Sequence, residues 1–110
     1  MSLTRGEIYR VSPAPGNDPK RARCVAIVSR QTLCDSKADK VVCAAINTNR
    51  DGRSTEVAVG TDEGLKHASV LNCDQLILVP KSALTHYIGS LSVPRLAELK
   101  VALRAALDLD

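Results

Sequence analysis

The 110-residue sequence has almost no aromatic side chains: it contains no tryptophan, no phenylalanine and two tyrosines, Tyr9 and Tyr87. Nucleic-acid-binding modules that stack successive bases need several exposed aromatic rings. The scarcity therefore weighs against such a module. Any contact with nucleic acid is expected to depend on charge and hydrogen bonds instead.

Long apolar runs and paired cysteines are also missing. No apolar run approaches the roughly 18 residues that cross a bilayer, and the first residues, MSLTRGEIYR, lack the apolar core of a secretory signal. We therefore expect a cytoplasmic protein without membrane contact, whose four cysteines stay as free thiols. No two cysteines have CxxC spacing, so the sequence predicts neither a metal site nor a cofactor.

Basic residues are concentrated in the first half of the chain. The net charge is +3, but residues 1–53 carry ten basic and five acidic side chains, whereas residues 54–110 carry five and seven. Lys20, Arg21 and Arg23 lie in one predicted loop, and Arg50 and Arg53 in another. If folding brings the two loops together, they form an electropositive surface suited to phosphates. Otherwise they are ordinary solvated loops.

Short apolar segments separated by turn residues predict a mostly β protein with one domain, residues 1–110. A proline-rich loop is expected over 13–23, one short helical turn within 31–40, and a turn at 47–54. The strands on either side of that turn are predicted to pair as a long hairpin. The predicted strands are 7–12, 24–28, 41–46, 55–59 and, over 69–79, one bent strand or two short ones, which Pro80 stops.

The carboxyl-terminal segment changes to a helical period. Ser92 suits an N-cap, Pro94 suits the first turn, and four leucines recur at three- or four-residue spacing from Leu96 to Leu107. This predicts one amphipathic helix of about fifteen residues. Short strands with a single terminal helix predict an α+β fold, mostly β, built as a small, twisted, partly closed barrel. A homodimer would cover the apolar outer face of so small a barrel.

Six segments carry a family pattern: RGEIYRV at 5–11, PGNDPKRAR at 15–23 before the strand CVAIVS, AAINTN at 44–49, GL at 64–65, SVLNCDQL at 69–76 and IGSLS at 88–92. In their order and spacing they resemble the MazF/PemK family of toxins. The resemblance implies an SH3-like barrel of the CcdB/MazF/PemK type, a homodimer, and a toxin of a type II toxin–antitoxin system. It also implies a sequence-specific endoribonuclease that cuts single-stranded mRNA, inhibits translation and growth, and is silenced by a cognate antitoxin.

Individual positions match the catalytic part of the family pattern. Arg23 matches the arginine most closely tied to catalysis, and Asp18 is a shortened version of an acidic position in the same loop. The threonine that the family often has after its next strand falls on Asn47, and Thr48 is the adjacent polar residue. The resemblance therefore implies that Arg23, Asp18 and Thr48 are catalytic.

Other positions depart from one branch of the family. Asp74 and Gln75 match an Asp-Gln pair of the family, but Asn72 stands where that branch has a catalytic arginine. Asn17 stands where it has a histidine. The histidine-free relatives are therefore the better guide to this chain.

Metal-independent RNA cleavage uses the ribose 2′-hydroxyl as the nucleophile and leaves a 2′,3′-cyclic phosphate and a free 5′-hydroxyl. Arg23 suits the stabilisation of the phosphorane-like transition state, because a guanidinium stays charged and can bond two phosphate oxygens. Asp18 is the candidate general base; the alternative is that it braces Arg23 or caps its loop. Thr48 and Asn47 could donate hydrogen bonds to the phosphate, or bond locally to their own turn.

A further set of polar side chains is predicted to hold the RNA rather than to cut it. For Asp74 the alternative is a structural role, in which its carboxylate secures the backbone or an arginine. His67 is expected at the surface. His86 is expected to face solvent or to cap a local segment rather than to act as a catalytic acid. The predicted RNA-binding residues are Asn17, Lys20, Arg21, Asn47, Asn49, Arg50, Arg53, Asn72, Asp74 and Gln75.

Two other functions are open at this point. One is a non-enzymatic toxin on the same barrel that binds a protein target such as gyrase. The other is a small barrel that binds RNA without cutting it, which the missing histidine would permit.

Overall fold

The computed structural model describes residues 2–11 and 23–110. Six strands form one antiparallel sheet in the order β4-β5-β3-β2-β1-β6, which curls into a half-barrel. The predicted mostly β barrel with a terminal helix is confirmed. The strands are β1 (Glu7–Val11), β2 (Arg23–Ile27), β3 (Lys40–Asn47), β4 (Glu56–Val59), β5 (Ser69–Pro80) and β6 (His86–Ser90); the α-helices are α1 (Gln31–Asp35) and α2 (Val93–Leu107).

The predicted hairpin between the strands at 41–46 and 55–59 is wrong. β4 pairs with β5, and β5 lies between β4 and β3. The eight residues between Asn47 and Glu56 are long enough to carry the chain past one intervening strand, whereas a tight hairpin turn needs only two to five. β5 takes the position between them because its first half is buried and apolar. Partners on both edges satisfy its backbone hydrogen bonds while these side chains stay buried.

The bent strand expected over 69–79 is confirmed as β5, which ends at Pro80. α1 confirms the short helical turn expected within 31–40. β6 has no counterpart among the predicted strands, because its sequence, HYIGS, has no aliphatic alternation to reveal it. The predicted loop over 13–23 lies outside the described residues except for Arg23, which is the first residue of β2.

One face of the sheet packs against α2, and we name it the helix-covered face. Leu99 and Ala102 of α2 are buried against apolar side chains of the strands. Ser92 caps the helix, since its Oγ accepts a hydrogen bond from the Arg95 backbone N–H at 3.3 Å. The strand residues of this face are Ile8, Ala26, Ala44, Ile46, Val57, Val59, Leu71 and Cys73.

The buried stripe of α2 differs in one respect from the predicted leucine stripe. Leu107 is 52% exposed, and Ala102 is buried instead. A four-residue repeat overshoots the 3.6-residue turn by about 40° each time, so two repeats after Leu99 the side chain has rotated away from the sheet. The spacing of three from Leu99 to Ala102 keeps the alanine on the packed side.

The opposite face of the sheet has a second apolar cluster, and we name it the Arg23 face. Alternation along β2 places Arg23 on the same side as Val25 and Ile27, which are fully buried there. Cys34 of α1 and Leu84 pack against the cluster. The strand residues of this cluster are Tyr9, Val11, Val25, Ile27, Val41, Cys43 and Val79.

Neither α-helix in the described part of the chain has the length and apolar character that a transmembrane helix requires.

Candidate active site

Arg23 starts a strand rather than ending a loop. It pairs with Val11 of β1, and its side chain is exposed. Pairing between β2 and β3 matches Val25 with Ala45. The observed pairing ends there, and the same antiparallel register continued for two more residues would set Arg23 across from Asn47, the last residue of β3. The guanidinium and the amide therefore leave the sheet on the same face and at the same end.

A bulge in β5 brings more polar side chains to this end of the sheet. Ala44 of β3 pairs with Leu76, but the next residue, Ala45, pairs with Asn72. The three residues between them, Cys73 to Gln75, therefore have no partner on β3. Bulges of this kind bend a strand and redirect its side chains. Here Cys73 stays buried while Asp74 and Gln75 become exposed.

Hydrogen bonds tie the bulge to the end of β3. The Asn47 side-chain Nδ2 donates to Gln75 Oε1 at 3.2 Å. The Asp74 backbone N–H donates to Asn72 Oδ1 at 2.9 Å, which fixes the side chain of Asn72. The amides of Asn47 and Asn72 are thus held in place before any ligand binds.

The carboxylate of Asp74 is held by residues that precede β4. Thr55 Oγ1 donates to Asp74 Oδ2 at 2.6 Å, and Arg53 Nη1 lies 3.8 Å from the same oxygen. The Arg53 side chain is 61% exposed, so the ion pair contributes little to stability. The Cys73 backbone N–H also donates to the Thr55 carbonyl. These contacts match the structural alternative for Asp74, a carboxylate that secures an arginine.

Glu56 organises the loop that carries Arg53. Its carboxylate accepts hydrogen bonds from three successive backbone N–H groups, those of Asp51 at 3.2 Å, Gly52 at 2.9 Å and Arg53 at 3.3 Å. Gly52 has a φ of 72°, which a residue with a side chain rarely adopts. The three amides form the concave arrangement that binds anions, and here the chain fills it with its own carboxylate.

The thiols are unsuited to chemistry at this site. Burial raises the pKa of Cys73 to about 11, with the neighbouring Asp74 adding to the shift, and raises the pKa of Cys43 to about 12. All four cysteines are free thiols. Within residues 2–11 and 23–110, no three His, Cys, Asp or Glu side chains are placed to hold a metal ion together. His67 and His86 are exposed, as expected.

The predicted site residues fall into three groups. Arg53, Asp74, Gln75, Asn72 and Asn47 are joined by the contacts above, and the strand register adds Arg23. A second group lies on the connection from β3 to β4, directly after Asn47, and is exposed: Thr48, Asn49 and Arg50. Those within 12–22 lie outside the described residues: Asn17, Asp18, Lys20 and Arg21.

Two residues of the site were not predicted, Thr55 and Glu56. A threonine and a glutamate that follow an Asp-Gly turn by three and four residues are the signal in the sequence, because side chains so placed can bond back to the turn. That signal is common to many turns, so it does not by itself indicate a functional site.

A family model described as the PemK-like, MazF-like toxin of type II toxin–antitoxin systems matches residues 4–107. This chain belongs to that family. The match spans the whole sheet, both α-helices and the polar end of the sheet. The MazF/PemK resemblance of the sequence is thereby confirmed.

Relatives of this MazF-like toxin include curated and solved proteins from mycobacteria. The endoribonuclease MazF3 of Mycobacterium tuberculosis is 34% identical over 90 residues, which cover 82% of this chain and 86% of that protein. The structure of the Mycobacterium tuberculosis toxin MazF-mt6 matches with a TM-score of 0.81 and 31% identity, over 94% of this chain and 98% of that one. An endoribonuclease solved in complex with its cognate antitoxin, from a mycobacterial species, matches with a TM-score of 0.83 and 28% identity, over 99% and 98%.

These likenesses confirm the predicted class of the protein. The chain is a MazF-like endoribonuclease toxin of a toxin–antitoxin system. The half-barrel with its terminal helix is the fold of the solved MazF toxins.

Proposed function

We propose that this MazF-like toxin cuts single-stranded mRNA at specific sequences, without a metal ion, and so inhibits translation and growth. In the proposed reaction the 2′-hydroxyl loses its proton and attacks the adjacent phosphorus, the bond from phosphorus to the 5′ oxygen breaks, and that oxygen takes a proton from water. The products are a 2′,3′-cyclic phosphate and a 5′-hydroxyl. One observation carries the proposal: an exposed guanidinium, Arg23, leaves the same end of the same sheet face as the fixed amide of Asn47. A charged group beside fixed hydrogen-bond donors is suited to a phosphodiester.

Each proposed catalytic residue has one task. Arg23 stabilises the charge that develops on the equatorial phosphate oxygens, which it can do because it stays protonated throughout. Asp18, five residues earlier in the chain, takes the proton from the 2′-hydroxyl. Thr48, directly after Asn47, donates a hydrogen bond that orients the phosphate for attack.

The proposed RNA contacts extend from this point over the β3–β4 connection and the bulge. Arg53 is exposed and only weakly paired with Asp74, so its guanidinium can turn to a phosphate at small cost. Asn72 and Gln75 present amide groups that suit base edges. The residues proposed to hold the RNA are Asn17, Lys20, Arg21, Asn47, Asn49, Arg50, Arg53, Asn72, Asp74 and Gln75.

The proposed partners are a second copy of the chain and a cognate antitoxin, and the proposed location is the cytoplasm. Several large apolar side chains are more than half exposed, among them Leu78 at 60% and Val101 at 63%, and a homodimer would cover such side chains. An acidic, extended segment of an antitoxin would suit a site that carries Arg23, Arg50 and Arg53. The solved relative in complex with its antitoxin supports this second partner.

The test is cleavage of a mixed-sequence single-stranded RNA in EDTA, followed by analysis of the new ends. We expect cyclic phosphate and 5′-hydroxyl ends from the wild type. Arg23→Ala should lose about 10²- to 10³-fold in kcat/KM, the usual cost of one transition-state donor. Arg104→Ala is the matched control, since it removes an exposed arginine of α2, and it should cut at the wild-type rate.

The other outcomes distinguish the rival functions. Intact RNA that is nevertheless bound tightly would indicate a barrel that binds without cutting. Intact and unbound RNA, together with inhibition of gyrase, would indicate a toxin with a protein target. Equal loss in the two arginine variants would contradict the role of Arg23.

A further inference from the structure

The two tyrosines of this aromatic-poor chain lie against each other. Tyr9 of β1 and Tyr87 of β6 are cross-strand partners in the sheet. Their ring centroids are 5.8 Å apart and the rings are 76° to one another, an edge-to-face contact. Residues almost eighty positions apart in sequence thus form one aromatic pair.

This pair lies on the same face of the sheet as Arg23. Tyr9 shares its side of β1 with Val11, and Val11 pairs with Arg23. Tyr9 is two residues from Val11, which is about 7 Å along the strand. Tyr87 lies on β6, and β6 is two strands from β2, which is roughly 10 Å across the sheet. The two Cα atoms of Arg23 and Tyr87 are therefore about 12 Å apart on one continuous surface.

The ring of Tyr87 is exposed but fixed. Tyr9 is buried, whereas Tyr87 is 53% exposed. The edge-to-face contact with Tyr9 holds the Tyr87 ring on one side, and its hydroxyl lies 2.7 Å from Ser90 Oγ. A ring anchored at its body and at its tip loses little conformational freedom when a ligand stacks on the free side.

The charges nearby favour a base over a phosphate at this position. Glu7 lies on the far side of Tyr9 from Val11, and its carboxylate accepts hydrogen bonds from the Thr4 N–H at 2.7 Å and the Tyr9 hydroxyl at 3.2 Å. The negative charge repels a phosphate at this end, while Arg23 attracts one at the other. A nucleotide that extends from Arg23 toward β6 would therefore present its base to the aromatic pair.

We propose that the free face of the Tyr87 ring stacks one base of the RNA whose phosphate lies at Arg23. The proposal rests on the proposed function, because it places a second contact on the same bound RNA. A single platform agrees with the scarcity of aromatic residues: it holds one base, not a row of them. Stacking on an aromatic ring accepts any base, so this contact adds affinity without choosing the cleavage sequence.

The experiment uses tyrosine emission, since the chain has no tryptophan and the signal comes from Tyr9 and Tyr87 alone. The ligand is a mixed-sequence RNA with 2′-O-methyl groups, which lacks the nucleophile and stays intact. We expect the RNA to quench the emission of the wild type and of Tyr9→Phe, but not that of Tyr87→Phe, whose remaining tyrosine is buried.

Affinities complete the test. Tyr87→Leu, which keeps apolar area but has no aromatic face, should bind the RNA roughly tenfold more weakly. Tyr87→Phe should bind within about twofold of the wild type, because it retains the ring. Inorganic polyphosphate has charge but no bases, so its affinity should be the same for the wild type and for Tyr87→Leu.

Three results would overturn the proposal: equal RNA affinity of Tyr87→Leu and wild type, equal losses for RNA and polyphosphate, or a change of elution volume in Tyr87→Leu that marks Tyr87 as a contact between protein chains. Failure of the proposed function is a separate result. In that case the wild type itself neither binds RNA nor cuts it, whatever residue 87 is.

Discussion

The helix-covered face and the Arg23 face are formed by the same strands, but the Arg23 face becomes polar and more exposed at one end, where Arg23 and Asn47 lie. On the helix-covered face, apolar side chains such as Leu71 meet α2 at Leu99, and both leucines are fully buried. On the Arg23 face, β2 runs from the fully buried Ile27 to the exposed Arg23. β3 likewise runs from the buried Val41 to the half-buried Asn47.

The comparison shows how one sheet can combine a stable core with a candidate site. Packing on the helix-covered face and at the inner end of the Arg23 face fixes the strand register. That register in turn fixes where Arg23, Asn47 and the bulge of β5 stand. Site residues can therefore be polar and exposed without loss of position, because buried neighbours on the same strands hold the backbone.

Leu99→Ala should distinguish the roles of the two faces most clearly, because it should lower stability while leaving cleavage unchanged. Removing a fully buried leucine leaves a cavity, so we expect the free energy of unfolding to fall by about 3 kcal/mol. Cleavage by the folded protein should stay within about twofold of wild type, because the site lies on the other face. Urea titration and RNA cleavage measured well below the melting temperature check the two parts.

The control is Lys100→Ala on the same helix, which shortens an exposed side chain next to Leu99. Its unfolding free energy should stay within about 0.5 kcal/mol of wild type. A Leu99→Ala protein that is fully folded yet inactive would contradict the division between the faces.

Alkaline pH should lower the free energy of unfolding through both faces of the sheet, because each face contains a buried thiol. Burial raises the pKa of Cys73 on the helix-covered face to about 11 and that of Cys43 on the Arg23 face to about 12, from 9.0. Between pH 9 and these values the unfolded thiols ionise while the folded ones keep their protons. The unfolded state then binds fewer protons, so the stabilisation present below pH 9 is lost as pH rises.

Each thiol should contribute a slope of at most about 1.4 kcal/mol per pH unit between pH 9 and its folded pKa. The measurement is the unfolding free energy against pH for wild type, Cys43→Ala and Cys73→Ala. Each variant should show a shallower fall than wild type over pH 9–11. An unchanged slope in either variant would mean that its thiol does not titrate as its burial requires.

The smallest expected effect belongs to Glu56, whose carboxylate holds the backbone of the Arg53 loop. Glu56→Gln removes the charge but keeps one acceptor, whereas Glu56→Ala removes both. Loss of the charge alone should strengthen RNA binding slightly. Loss of the acceptor should free Arg53 and weaken binding several-fold relative to Glu56→Gln, at a stability cost of about 1 kcal/mol or less.

Hydrogen exchange provides the second readout for this loop. The amides of Asp51, Gly52 and Arg53 should exchange faster in Glu56→Ala than in wild type. Asp62→Asn is the control, since it neutralises an exposed carboxylate elsewhere and should leave those amides unchanged. Equal RNA affinity of the two Glu56 variants would show that the position of the loop does not matter for binding.

Local patterns predicted most of the elements of the fold. Ser92, Pro94 and the leucine repeat indicated α2 at its observed length, because capping and helical period are properties of neighbouring residues. The partner of β4 could not be found in this way. Whether β4 pairs with β3 or with β5 depends on how deeply β5 is buried, and the residues of β4 do not contain that information.

The sequence indicated candidate site residues but not the contacts between them. Matching to a family pattern indicated Arg23, Asp74 and Gln75. The three-residue bulge that turns Asp74 toward Thr55 and Gln75 toward Asn47 has no signature of its own. A pairing offset between two strands arises from both strands together, so neither sequence segment contains it.

Composition, periodicity and the order of motifs can be read along the chain. They were enough to predict the mostly β class, the terminal helix, the concentration of positive charge in the first half and the family. The insertion of β5 between β3 and β4 and the contact of Tyr9 with Tyr87 became known from the folded chain alone. Both features join residues that are distant in sequence, and they are selected by how the whole sheet buries its apolar side chains.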